Sequence, residues 1–203
     1  LDILRKYYPK WSVYNLVLNN SFTIEWIKEF PNWSWSFSYI SNLKDVRLSW
    51  LQSFPKSSWD YKEILLKSTL NIKLIKWIRL RFSSRCWFYI SRNKSFNINW
   101  VTSNNYNLID WYHGVSGQES LKIEWVLKYP KAQWNINKII ENKNIVVQDY
   151  QILIKLFNLN ITDFSTNPNL TLEFIRVHQN QLDFKKLSYN NFNGIYHQNN
   201  QKI

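Results

Sequence analysis

The stretch Asn167–Phe192, NPNLTLEFIRVHQNQLDFKKLSYNNF, holds two short apolar patterns that return along the chain. The first pattern is LEFI at 172–175, and the second is LDFKKLS at 182–188. A polar break separates the two patterns, and an Asn-Pro-Asn turn signal precedes the first. Whether the patterns repeat decides the fold, because a fixed period of roughly 20 to 50 residues indicates a repeat architecture.

The first pattern recurs at 24–27, 48–51, 75–78, 98–101 and 123–126, with a weaker copy around Tyr150. One aromatic residue anchors each copy, and successive anchors lie 23 to 27 residues apart. The anchors are Trp26, Trp50, Trp77, Trp100, Trp125, Tyr150 and Phe174.

The second pattern has an independent register with the same period. It usually opens with a large apolar residue, as at Trp35, Trp59 and Trp134, and Arg85 replaces that residue in one copy. A proline stands four residues before each of these three tryptophans. Five residues after the opening position comes an aliphatic slot, occupied by Leu16, Ile40, Ile64, Ile90, Val115, Ile139, Phe164 and Leu187. Two registers with one period predict about eight repeats.

Each repeat is predicted to be a pair of short helices joined by a bend. The apolar residues of the first half have helical spacing, Thr23 and Thr171 suit N-caps, and Asp60 suits the N-cap of a second helix. The proline after the first half ends its helix. An all-β fold is the alternative, because Trp, Tyr and Ile also favour strands.

Helices this short are marginal alone, so neighbouring repeats must stack. We therefore predict an all-α fold, an α-solenoid roughly 65–80 Å long if helices pack roughly 8–10 Å apart. The predicted single array, 1–203, has repeats at 1–20, 21–44, 45–69, 70–94, 95–118, 119–144, 145–169 and 170–194 and a polar tail at 195–203. The predicted repeat core is Trp26, Trp50, Trp77, Trp100, Trp125, Phe174, Trp35, Trp59, Trp134, Ile40, Ile64, Ile90, Ile139 and Leu187.

The repeat pattern resembles tandem repeats in proteins of the large nucleocytoplasmic DNA viruses, mimivirus-like and marseillevirus-like. The shared pattern is Asn-Pro-Asn-[Ile/Leu]-Thr-x-Glu, followed by Pro-x-x-x-Trp-Asp-[Trp/Tyr/Phe]-x-x-[Leu/Ile]-Ser-x-Asn, and 55–64, 123–140 and 167–190 match it best. Arg85 departs from it, as do Leu159 and Ile161, which replace aromatic residues. The resemblance covers nearly the whole chain and implies a repeat scaffold without catalytic residues.

Charge is the second informative feature. The chain has 26 Lys and Arg against 14 Asp and Glu, a formal charge of +12, which favours an anionic partner. No Asp or Glu occurs from Ile64 to Ile109, and that stretch holds Lys67, Lys73, Lys76, Arg79, Arg81, Arg85, Arg92 and Lys94. These cations either form an anion-binding face or are an ordinary solvated face.

The sequence offers no convincing catalytic, cofactor or metal site. Three glycines do not suffice for the usual phosphate loop, and Cys86 as the only cysteine cannot form an intrachain disulfide or a multi-thiolate zinc site. The HGVSG segment at 113–117 lies at a repeat turn, and His178 and His197 lack ligands at metal spacing. No apolar run approaches the length of a membrane span.

We therefore predict a non-enzymatic repeat scaffold that binds another protein, preferably through an acidic surface of that protein. The resemblance implies a viral setting, in an assembly or on a host partner, in the host cytoplasm or the virion. The alternative is a nucleic-acid-binding solenoid that uses the basic face at 67–94. No cofactor or small-molecule substrate is expected. The chain lacks an initiator methionine, so we expect either a fragment or part of a longer protein.

Overall fold

The computed structural model describes residues 2–7, 10–82, 85–190 and 192. These residues form short helices, and no β-strand occurs within those ranges. The all-α prediction is confirmed for them, and the all-β alternative is wrong. The α-helices are α1 (Asp2–Lys6), α2 (Val13–Val17), α3 (Ile24–Glu29), α4 (Phe37–Ile40), α5 (Leu48–Ser53), α6 (Tyr61–Lys67), α7 (Ile72–Arg79), α8 (Cys86–Ile90), α9 (Ile123–Lys128), α10 (Ile136–Ile140), α11 (Tyr150–Phe157), α12 (Leu172–Val177) and α13 (Phe184–Leu187).

Five short 3-10 helices complete the secondary structure: Ile98–Trp100, Tyr106–Leu108, Val115–Gly117, Val147–Asp149 and Ile161–Thr166. The chain divides into two compact units, the first ending at Phe96 and the second beginning at Asn97. This boundary lies two residues inside the predicted repeat 95–118. The single array from 1 to 203 stays a prediction, and the polar tail at 195–203 lies outside the described residues.

Local capping explains where the helices begin. The Asp60 carboxylate accepts a hydrogen bond from the Glu63 N–H at 3.1 Å, and the Thr171 hydroxyl accepts one from the Phe174 N–H at 3.1 Å. Both therefore cap the helices that the sequence assigns to them. Thr23 occupies the N-cap position of α3, but its side chain makes no capping hydrogen bond.

The bend between paired helices has one recurring geometry. Phe30, Phe54 and Tyr129 each precede a proline and share φ between −121° and −129° and ψ between 59° and 61°. A proline disfavours the helical conformation of the residue before it, which ends the first helix. The carbonyl of each of these three residues accepts a hydrogen bond from an indole Nε1–H five residues later. The donors are Trp35, Trp59 and Trp134, at 2.8 to 2.9 Å. This hydrogen bond gives a physical reason for the fixed spacing between proline and tryptophan.

The aliphatic slot is the centre of the core in both compact units. In the first unit α2 packs against α4, α5 against α7 and α6 against α8. In the second unit α10 packs against the helices Val115–Gly117 and Ile161–Thr166, and Ile161–Thr166 packs against α13. All eight slot residues are buried: Leu16, Ile40, Ile64, Ile90, Val115, Ile139, Phe164 and Leu187.

The anchor aromatics lie at the rim of the core, apart from Tyr150, which is buried. Six of them are half-buried, namely Trp26, Trp50, Trp77, Trp100, Trp125 and Phe174. In the five tryptophan copies the following aliphatic residue is buried instead, at Ile27, Leu51, Ile78, Val101 and Val126. The anchors therefore contribute only part of their surface to the core, as Trp26 does against Leu4, Leu16 and Trp33, because a one-residue step turns a helical side chain by about 100°. In the second pattern, Trp59 and Trp134 are buried and Trp35 is half-buried.

A buried serine after the aliphatic slot joins one second helix to the next. Ser41 and Ser165 illustrate the contact: each hydroxyl donates to a carbonyl of its own turn at 2.7 Å and accepts a backbone N–H 18 or 19 residues later at 2.9 Å. Ser116 makes the same pair of hydrogen bonds. The N–H groups that these serines bind belong to the N-cap residues Asp60, Asn135 and Asp183.

Three copies lack the serine and have Val17, Leu65 or Ile140 in its place, and in the Ile140 copy another hydrogen bond replaces that of the serine. Ile140 occupies the serine position, so it cannot accept the N–H of the following N-cap residue, Asn160. The carboxylate of Asp163 accepts that N–H at 2.8 Å instead. The apolar Ile140 is tolerated at the serine position because a side chain of the same repeat accepts the Asn160 N–H.

Asparagines three positions after the aliphatic slot also link adjacent repeats. The Nδ2 group of Asn93 donates to the carbonyls of Leu65 and Ser68, at 2.8 and 2.9 Å. Three asparagines in the second unit reach carbonyls 22 to 27 residues earlier: Asn142, Asn167 and Asn190. Each of the four accepts, through Oδ1, the N–H two residues later, which closes an Asx turn.

Candidate anion-binding groove

Positive charge is concentrated in the first compact unit. Of the 26 Lys and Arg, 16 precede residue 97, whereas only 6 of the 14 Asp and Glu do. The second unit is nearly balanced by comparison. An anion that binds through charge should therefore prefer the first unit.

All eight cations predicted from the sequence are exposed: Lys67, Lys73, Lys76, Arg79, Arg81, Arg85, Arg92 and Lys94. Helix α7 carries Lys73, Lys76 and Arg79 at intervals of three residues. Lys67 forms an ion pair with Glu63 at 2.9 Å. Lys73, Lys76, Arg85 and Lys94 form no ion pair with a carboxylate of the described residues.

Three of the arginines lie over aromatic rings. The guanidinium of Arg81 is 3.7 Å from the centre of the Trp77 ring and donates to the Trp77 carbonyl. Arg92 lies 4.2 Å from the ring centre of Phe88. Arg79 lies over the third ring, that of Trp87, at 5.4 Å. Cation–π contacts hold these guanidinium groups in place, which limits their freedom to bind a ligand in a bidentate manner.

Cys86 lies beside this arginine cluster and is buried. Burial raises the pKa of its thiol, and the nearby Arg79 only partly opposes that rise. The thiol is therefore poorly suited to act as a nucleophile at neutral pH, because the thiolate is the reactive form.

Two of the predicted cations meet in a surface groove together with one that the sequence did not single out. The groove has a volume of about 460 Å³, and we call it the basic groove. Its lysines, Lys44, Lys67 and Lys94, come from three successive repeat ends. The other lining residues are Asn42, Leu66, Ser68, Thr69, Asn93 and Ser95. None of the described residues that line it is an Asp or a Glu.

Hydrogen bonds between repeats build the floor of the basic groove. Asn93 holds the carbonyls of Leu65 and Ser68, and the Ser95 hydroxyl accepts the N–H of Leu70 at 2.9 Å. The Ser95 hydroxyl in turn donates to Asn93 Oδ1 at 2.6 Å. The floor is thus a fixed polar surface, while the three lysines are exposed.

The second compact unit has a similar groove with a different charge. Its volume is about 500 Å³, and it is lined by Ser116, Gly117, Glu119, Lys138, Glu141, Asn142 and Lys143. Two glutamates offset its two lysines. This second groove is therefore a natural control for the role of charge in the basic groove.

The remaining candidates do not assemble a site. The Asp110 carboxylate accepts the His113 N–H at 3.0 Å, which is a turn contact. His178 contacts the Phe174 ring, and His197 lies outside the described residues. Within the part of the chain that the structure describes, no three His, Cys, Asp or Glu residues are grouped as metal ligands. None of the described helices has the length and apolar character needed to cross a membrane.

Sequence reasoning missed Lys44 and the linking asparagines. Lys44 and Lys94 both lie four residues after an aliphatic slot, at Ile40 and Ile90, so their shared register was a usable signal. The asparagines appear in the repeated motif as its final residue. Their partners are backbone carbonyls, which a sequence pattern does not reveal.

Comparisons of the chain with protein-family models, with curated proteins and with solved structures found no match. The resemblance to the viral repeats therefore stays a prediction.

Proposed function

We propose that the chain is a non-enzymatic α-solenoid scaffold of about eight repeats that binds an acidic protein through the exposed cations of helix α7 in the first compact unit. The observation that carries the scaffold proposal is the recurring hydrogen bond from Asn93, Asn142, Asn167 and Asn190 to the preceding repeat. The resemblance favours a viral setting, with a partner in a viral assembly or in the host cytoplasm.

Nearest-neighbour contacts support a solenoid over a single globular core. In a solenoid each repeat is stabilised by the repeats on either side. The serine and asparagine contacts span 18 to 28 residues, which is about one repeat. The packing pairs of helices within each compact unit also join adjacent repeats.

Uncompensated charge supports an acidic partner. Like charges that lack partners repel one another and destabilise the folded state. Lys73 and Lys76 are exposed on α7 without an ion pair to a described carboxylate. An acidic protein surface would relieve this repulsion and bind the first unit in preference to the second.

The test captures proteins from nuclease-treated extracts of infected cells with three forms of the chain. The wild type is compared with Lys73→Glu/Lys76→Glu/Arg79→Glu and with the control Lys122→Glu/Lys128→Glu/Lys131→Glu, which changes exposed lysines of the second unit. Quantitative mass spectrometry should find an acidic protein that the wild type and the control retain and the α7 variant loses. If the α7 variant retains every specific partner, the proposal is wrong.

A further inference from the structure

We propose that the basic groove binds the phosphodiester backbone of nucleic acid without reading base sequence. This goes beyond the scaffold function, since it uses Lys44, Lys67 and Lys94 and not the α7 cations. The carrying observation is that three lysines from successive repeats line one groove, and that its described lining residues include no Asp or Glu.

The chemistry of the lining suits phosphate. Lysine ammonium groups, hydroxyls and side-chain amides are common donors to phosphate oxygens. The groove offers all three kinds, for example at Lys94, Thr69 and Asn42. The described lining of this groove includes no arginine, so its lysines would bind phosphate as point charges and not through a bidentate fork.

The lining also argues against base recognition. Proteins that hold single strands by their bases stack them on aromatic side chains. Among the described lining residues, Leu66 is the only large apolar one and none is aromatic. Contacts are therefore expected with the backbone alone, which makes binding independent of sequence and sensitive to salt.

Glu63 limits the affinity of the groove in its present form. Its carboxylate is 2.9 Å from Lys67 Nζ, and the same ammonium group donates to Asn42 Oδ1. A phosphate must compete with Glu63 for Lys67, whereas Lys44 and Lys94 form no ion pair with a described carboxylate. Removal of this carboxylate should therefore strengthen nucleic-acid binding.

The test is fluorescence anisotropy with a labelled 20-base-pair duplex in two unrelated sequences, titrated with the full chain. Three phosphate contacts predict that affinity falls about 40-fold between about 50 and about 200 mM salt. With Lys44→Glu/Lys94→Glu one contact remains at most, and the fall shrinks to about fourfold or less. The control Lys138→Glu/Lys143→Glu, in the second groove, should behave as the wild type does.

Glu63→Gln provides an independent variant that gains function. It should raise the affinity about two- to fivefold, the range of an exposed ion pair, and steepen the salt dependence. This arm stays informative if Lys44→Glu/Lys94→Glu fails to fold, which thermal melting would reveal.

Three results would overturn the inference. The first is a variant that behaves against expectation. This would be a Lys44→Glu/Lys94→Glu variant that folds and keeps the wild-type salt dependence, or a Glu63→Gln variant that binds nucleic acid no more tightly than the wild type. The second is affinity that differs strongly between the two sequences. The third is equal displacement of the duplex by polyglutamate at matched charge, which would assign the groove to an acidic protein. The α7 variant used for the scaffold proposal leaves the groove lysines intact, so the two proposals fail separately.

Discussion

The side-chain amide of Asn167 donates a hydrogen bond to the backbone carbonyl of Ile140, which lies 27 residues earlier in the chain. The same amide reaches the carbonyl of Ile145 at 3.1 Å, and Asn167 is fully buried. One side chain thus reaches one carbonyl of the preceding repeat and one at the start of its own predicted repeat, 145–169. Buried carbonyls without a donor are costly, so this contact is a structural requirement and not an accessory.

Asn167→Ala should therefore destabilise the chain. The substitution removes the side-chain donor to the Ile140 carbonyl and one of the two donors to the Ile145 carbonyl, which Asn169 Nδ2 also reaches at 3.0 Å. We expect a loss of about 1–3 kcal/mol in the free energy of unfolding. Urea unfolding followed by circular dichroism measures the change. The exposed Asn32 is the control, since Asn32→Ala should change stability by less than about 0.5 kcal/mol. Equal effects of the two substitutions would contradict the linking role.

A comparison of two buried tryptophans of the first compact unit can separate the contribution of the indole hydrogen bond to stability from that of ring burial. Trp59 donates to the Phe54 carbonyl at 2.8 Å, whereas the Trp87 Nε1 group has no hydrogen-bond partner among the described residues. Trp59→Phe should cost about 0.5–1.5 kcal/mol more than Trp87→Phe, because only Trp59 loses a hydrogen bond. Parallel urea denaturation of the two variants provides the comparison. A larger loss from Trp87→Phe would show that ring packing dominates.

Ser165→Ala should weaken the contact between the Ile161–Thr166 helix and α13. The hydroxyl accepts the Asp183 N–H at 2.9 Å, and no neighbouring carboxylate is shown to replace it. We expect a loss of about 1–3 kcal/mol in the free energy of unfolding. Thermal and urea unfolding measure it, with the exposed Ser34→Ala as a control. A neutral Ser165→Ala would mean that water satisfies this N–H.

Asp149 should make stability depend on pH. Burial raises the pKa of its carboxyl, Glu124 raises it further, and the hydrogen bond from the Val146 N–H only partly opposes them. A raised pKa in the folded state means that stability is greatest below the unfolded pKa and falls as pH rises through the folded pKa.

Asp149→Asn removes the charge and keeps an oxygen that can accept the Val146 N–H. The difference in free energy of unfolding between variant and wild type should therefore be more favourable to the variant at about pH 7 than at about pH 3.5. Urea unfolding at both values measures it, with the exposed Asp45→Asn as a reference. A difference that is constant or reversed would contradict the raised pKa.

Periodicity predicted the helices and the aliphatic slot well, because both depend on local spacing. Asp60 caps α6 as its position suggested, and Ile64 and Ile139 are buried. The anchor tryptophans were harder to place. Repetition shows that Trp50 and the other anchor tryptophans occupy equivalent positions in their repeats. It does not show that the neighbouring residue, such as Leu51, is the one that faces the core.

The basic site was predicted only in part for a different reason. The absence of acids from Ile64 to Ile109 pointed to the correct region. Lys44 lies outside that stretch and joins Lys67 and Lys94 only through contacts between repeats. Arg81 lies inside it, but its guanidinium stacks on Trp77. A stretch of like charge is contiguous in the sequence, whereas the lysines of the groove come from three different repeats.

Amide hydrogen exchange on Asn167→Ala tests most directly the claim that each repeat is held by its neighbours. A repeat array predicts faster exchange in 119–194, around the lost contact, and wild-type protection in 21–69. A uniform loss of protection along the whole chain would contradict the account, because it would indicate one cooperative core and not a series of interlocked repeats.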